Sequence, residues 1–227
     1  MSNRIKFFSD YVSKQISIYF PDDFVTTDVI AASLPSALRR TDFCIGNIKA
    51  WRNNDFNYLI SGQYAIFLYY LSSCIWTESG SCEVATRVFL LNKALNGIDI
   101  FYEVSMPDIF LIGHTVGMVF SKAYYDDFFV MHQSCTIGRN GSDRPTLEKG
   151  VILYPNSSVI GKCLVRSNSV ISPGVQLVNQ DTPGNCYVFM GEKGKPVFKE
   201  IDEFFADRYF ERGIKQIAVK NDMDRNR

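Results

Sequence analysis

The sequence is poor in histidine: it has only two, His114 and His132, in 227 residues. A zinc centre built on three imidazoles is therefore excluded. Its six cysteines, at 44, 74, 82, 135, 163 and 186, include no Cys-x-x-Cys pair. A disulfide framework or a structural zinc site is not expected from that spacing, and no metal is assigned. An excess of either charge is also lacking, since 24 basic residues balance 24 acidic ones without a basic stripe. Nucleic acid is therefore not an expected partner. The amino-terminal residues Met1 to Phe8 contain no long apolar core, so no secretory signal is expected. A cytoplasmic, reduced protein is the default, with peripheral association at the inner face of a membrane as an additional possibility.

Long apolar runs are scarce as well. The uncharged stretch from Tyr58 to Trp76 comes nearest, but Gly62, Gln63 and several serines interrupt it. A membrane span needs about 20 mostly apolar residues. The stretch reads as a helix buried in a bundle or a subunit interface, spanning about 56 to 76, with no integral membrane span. A helix from Thr26 or Thr27 to about Arg40 is expected before it, complicated by Pro35. Another follows from Cys82 to Asn96, stopped by Asn96-Gly97. Residues 1 to 23 read as an irregular or strand-like lead-in. Together, residues 1–97 form an amino-terminal helical domain.

What the sequence does have is a period of six. Leu147, Leu153, Val159, Val165, Ile171 and Leu177 recur at that interval, and so do Val151, Ser157, Cys163, Ser169 and Val175. One inward aliphatic and one small residue per six is the hexapeptide repeat of a parallel β-helix. Neither the helical period near 3.6 nor the strand period of 2 explains it. A looser register continues upstream through Ile100, Met106, Ile112, Met118, Tyr124 and Val130, with Lys122 and Phe128 in the small-residue slot. The phase breaks at 138–145, a run of turn formers that reads as a loop thrown out from one corner. The β-helix domain is 98–196. Residues 197–227 form a carboxy-terminal helix and tail, the helix spanning about 200 to 212 with Ile201, Phe204, Phe205 and Tyr209 on one face.

His114 and His132 are eighteen residues apart, which is three six-residue units. In a left-handed β-helix three units make one coil, so the two should stack on one edge unless an irregularity intervenes. Adjacent coils would then lie about 4.8 Å apart.

Three segments carry a resemblance: Gly97-Ile-Asp99-Ile100, Ile112-Gly113-His114-Thr-Val-Gly117, and Gly141-Ser-Asp143-Arg144-Pro145. They resemble the serine O-acetyltransferase branch of the hexapeptide-repeat acyltransferases. The interval of fifteen from Asp99 to His114 matches that family, and His132-Gln133-Ser134-Cys-Thr136 falls where it has a comparable strand. The resemblance implies a left-handed β-helix that uses acetyl-CoA and assembles as a homotrimer, with a dimer of trimers as an extension. It implies His114 as catalytic base and Asp99 as its partner. His132, Gln133, Asp143 and Arg144 are expected near the acceptor. Pro155, Asn156, Ser157, Pro173, Gly174, Lys193 and Lys195 are expected along acetyl-CoA, though the two lysines read as readily as solvated charges.

The chemistry fits these residue types. A thioester is already activated, so the protein needs mainly to remove a proton from the attacking hydroxyl. Imidazole suits that task near neutral pH. A carboxylate on its other nitrogen would fix the tautomer. Backbone amides or the 132–133 strand could receive the oxyanion.

Two departures bear on the acceptor. The family's aspartate before the histidine is Gly113 here, and its histidine after the loop arginine is missing, since Pro145 follows Arg144. They point to a saccharide hydroxyl in surface polysaccharide synthesis, with L-serine a poor acceptor. The alternative is a serine acetyltransferase of cysteine biosynthesis, although the isoleucine-ended tail of cysteine synthase partners is not seen. A catalytically silent trimeric scaffold is a third reading, against which Asp99 and His114 count.

Overall fold

A computed structural model describes residues 2–51 and 55–211. The chain opens with helix α1, Ser2–Tyr19, rather than an irregular lead-in. Phe8, Val12 and Ile16 lie four apart and are all buried, which is the helical stripe that drives it. Helix α2, Thr27–Gly46, runs past the expected end at Arg40 and through Pro35. Burial of Leu34, Ala37, Leu38, Cys44 and Ile45 on both sides of the proline offsets the lost backbone hydrogen bond.

Helix α3, Ser61–Ser79, begins later than expected, and every residue from Gly62 to Ile75 is buried. It packs against α2, against α4 (Cys82–Asn96) and against the solenoid strand Phe110–Gly113. Enclosure on all sides accounts for its lack of charge. Among the described residues no helix is long and apolar enough to cross a membrane.

The first turn of α3 bears directly on the solenoid. A Cβ on Gly62 would lie 2.8 Å from the Ile112 carbonyl oxygen, a backbone atom two residues from His114. Gly62→Val is expected to cost about 1–3 kcal/mol, the usual range for overpacking a tight contact. A denaturant midpoint equal to that of the unaltered protein would show that the contact yields freely.

Residues 98–190 wind into a parallel β-solenoid of about five turns. Its first face holds Ile98–Ile100, Met118–Phe120, Thr136–Gly138, Ser158–Ile160 and Gln176–Val178. The second holds Tyr124–Tyr125, Thr146–Leu147 and Leu164–Val165, and the third Phe110–Gly113, Phe129–His132, Ile152–Leu153, Ser169–Ile171 and Cys186–Met190. All eleven downstream repeat residues, from Leu147 to Leu177 and from Val151 to Val175, are buried. The upstream series is buried except at Tyr124, which is 58% exposed while its neighbour Tyr125 turns inward. The series does not stack at eighteen, however: Ile100 pairs with Phe120 and Ile112 with Met131.

Phe128 explains its misfit. It sits at the corner between the second and third faces, in the column Phe128, Gly150, Asn168 and Asn185, and every residue of that column has positive φ. A bulky side chain in left-handed geometry costs about 1–2 kcal/mol and needs compensation. The carboxy-terminal segment supplies it. The ring centroid of Phe128 lies 5.5 Å from that of Phe210 and 6.4 Å from that of Phe204.

That segment is not the expected helix over 200–212. Strand Pro196–Glu200 pairs antiparallel with Cys186–Met190, and only a short 3-10 turn, Phe205–Arg208, follows. The apolar positions face inward as expected, but they dock on the coils as a strap. The Asn168 side chain donates to the Glu203 carbonyl and accepts from the Phe205 N–H, both at 2.8 Å. The strap then reaches the helical layer. Lys49 N–H donates to Tyr209 O at 2.8 Å and Glu211 N–H to Asn47 O at 2.9 Å. Residues 212–227, including the end of the expected helix, lie outside the described residues.

Candidate active site

The third face meets the first at a corner that repeats down the solenoid. In the lower coils it is short: His132-Gln133-Ser134, Tyr154-Pro155-Asn156 and Ser172-Pro173-Gly174, with the last residue of each left-handed. Each such N–H donates to the coil before, as Asn156 does to Gln133 O at 3.2 Å and Gly174 to Pro155 O at 3.0 Å. In the first coil Gly113 pairs in register with His132, but the left-handed residue stacked on Ser134 is Gly117. The segment Gly113–Gly117 thus spans what three residues span below. His114 is exposed on this bulge with φ 57. The simple eighteen-residue stacking of the histidines is therefore offset: His132 lies opposite Gly113, one residue from His114.

Asp99 lies on the first face close to this corner, where Gly117 N–H donates to Gly97 O at 2.9 Å. It makes no hydrogen bond to His114. Lys93, in the last turn of α4, donates to Asp99 Oδ2 at 2.6 Å. The lysine is about half exposed, so the pair is worth little as a stabilising contact. It nevertheless sets where the carboxylate stands, and among the described residues Oδ1 has no hydrogen bond.

His132 is enclosed. Its ring lies parallel to Tyr154, with centroids 5.2 Å apart and planes at 5°, and Tyr209 of the strap closes one side at 6.2 Å and 62°. The two tyrosine hydroxyls are 3.0 Å apart. A Cβ on Gly113 would lie 2.9 Å from His132 Nδ1, so the ring occupies the space that a side chain there would need. Among the described residues Nε2 is buried without a hydrogen-bond partner, as is Gln133 Oε1. Burial first, and then the neighbouring His114, lower the His132 pKa below the ordinary histidine value.

The other expected positions divide. Asn156, Pro173 and Gly174 are exposed along the same corner and Pro155 is half-buried. Lys193 and Lys195 are exposed at the hairpin that leaves the last coil. Ser157 is buried, and its hydroxyl donates to Tyr154 O at 2.7 Å, so it cannot line an exposed groove. Asp143 and Arg144 are exposed on a loop closed by paired bonds between Asn140 and Asp143. That loop leaves the opposite edge of the first face, so one chain does not bring it to His114. Sequence reasoning gave no site role to Lys93, Tyr154 or Tyr209, although Lys93 lies six residues before Asp99, Tyr154 directly follows the repeat residue Leu153, and Tyr209 stood among the apolar positions of 200–212.

No family model matches the chain. A protein of Schizosaccharomyces pombe named "Putative serine acetyltransferase" is 27% identical over 129 residues, 55% of this chain and 47% of that relative. The chain thus spans about half the length of the curated relative. The serine acetyltransferase of Vibrio cholerae superposes with TM-score 0.68 at 16% identity, covering 87% of this chain and 81% of its own. Isoform 3 from Entamoeba histolytica, solved with cysteine, gives 0.57 at 18%, covering 85% and 72%. The fold is that of the serine acetyltransferases. The solenoid is accordingly a hexapeptide-repeat left-handed β-helix, and the four helices before it belong to the same architecture.

Proposed function

We propose that the chain is an acetyl-CoA-dependent O-acetyltransferase. The observation that carries this reading is the exposed imidazole of His114, bulged from a corner of a serine acetyltransferase fold. The acceptor hydroxyl oxygen attacks the thioester carbonyl carbon and the carbon–sulfur bond breaks. His114 takes the hydroxyl proton and returns it to the departing thiolate, leaving an ester and free CoA thiol. Asp99 presents the oxygen that Lys93 does not use to the other ring nitrogen. The acetyl-CoA arm follows the exposed edge at Asn156, Pro173 and Gly174, towards Lys193 and Lys195.

The named relatives support L-serine as acceptor, against the saccharide that the sequence departures suggested. A saccharide is kept as a second reading on one observation: the ring of His132, rather than a carboxylate, lies against position 113. Free-thiol release from acetyl-CoA should be followed with L-serine and with a panel of nucleotide sugars and oligosaccharides. L-serine is expected to give the highest kcat/KM, and a saccharide exceeding it would reverse the assignment.

A homotrimer belongs to the same reading. Asp143 and Arg144 stand at the far edge of the face from His114, so a neighbouring copy is what can carry them to it. A fully active monomer at micromolar concentration in light scattering would refute the trimer.

A further inference from the structure

We infer that His132 is a positioning residue, a neutral wall against which the His114 bulge is set, and that Tyr209 of the strap holds this wall in place. Tyr154 supports one flat side of the ring, Tyr209 stands against another, and its Nδ1 edge faces Gly113. An imidazolium carries two N–H donors, and among the described residues the buried Nε2 has no acceptor. The neutral ring is the form that fits. The groups packed around it are His114 on its own corner and the Tyr154 and Tyr209 rings, with the Arg208 guanidinium beyond the tyrosines. His132 therefore neither relays a proton nor reaches the acceptor. Its contribution is steric: the Gly113 backbone rests on the ring, and His114 is the next residue along. Absence of a Cβ at 113 and presence of the ring at 132 are two halves of one fit.

The activity arm of the test rests on the acetyltransferase reading, and the spectroscopic arm does not. With two histidines the full-length protein gives two imidazole ring signals by proton NMR, and His132→Phe identifies one by removing it. That signal is expected to titrate at lower pH than an unperturbed histidine. Tyr209→Ala should move its titration back towards the ordinary value. In turnover, His132→Phe keeps the wall and should retain kcat within about threefold, whereas His132→Ala should lower kcat by about tenfold or more at unchanged KM for acetyl-CoA, since small misplacements of a catalytic group are costly. A His132 signal that titrates normally in the unaltered protein overturns the inference. So does a His132→Phe variant as inactive as His114→Ala. A protein that transfers no acetyl group at all refutes the proposed function and leaves the spectroscopic result standing.

Discussion

Replacing His114 with alanine is expected to lower turnover by ~10² to 10⁴, the range for removal of a general base. His114 has left-handed backbone geometry, φ 57, which alanine tolerates poorly. His114→Asn is therefore the cleaner variant, because asparagine accepts that conformation yet cannot take the proton. The two substitutions should be similarly inactive while both still bind acetyl-CoA. Asp99→Asn should lose less, since the imidazole remains and only its orientation is released. Steady-state turnover with calorimetric acetyl-CoA binding separates these effects. Near-normal turnover in His114→Asn would remove His114 from the chemistry.

Phe128→Ala should give the largest loss of stability. The side chain is buried to 2% exposure, and truncating a buried phenylalanine costs about 3–5 kcal/mol. Its unusual feature is the order expected between two truncations. Glycine in place of alanine normally weakens an ordered segment. At φ 64 alanine keeps the left-handed penalty and glycine escapes it, so Phe128→Gly should be the more stable of the pair by about 1 kcal/mol. Denaturant midpoints of the two variants decide this. If alanine is the more stable, the corner does not impose the left-handed conformation.

The solenoid was legible because its interior is narrow. One side chain per six residues must fill it, so Leu147 through Leu177 repeat without exception. The first coil was harder to read. Its corner takes two extra residues at His114, and the compensating interval from Gly117 to Ser134 hides the insertion within an otherwise regular spacing. The strap was misread for a related reason. Ile201, Phe204, Phe205 and Tyr209 fit a helical period, but each is placed by the coil it meets rather than by its own neighbours. Asp99 and His114 were singled out by their interval. Lys93 was not, because it stands in α4 while its partner stands on the first strand. Tyr154 and Tyr209 come together only through the winding of the coil and the return of the strap.

The strap gives the repeat an exact count of coils. An open solenoid can gain or lose a coil during evolution, because each coil meets only its neighbours. Here Ile201 is matched to the coil of Asn185, Phe205 to that of Asn168 and Phe210 to that of Phe128, and the far end is tied at Asn47 and Lys49. Inserting one coil would slide part of this ladder by about 4.8 Å against its anchors. Duplication and slippage, the usual routes by which solenoids change length, are thereby closed to this chain unless the strap is rewritten in the same step.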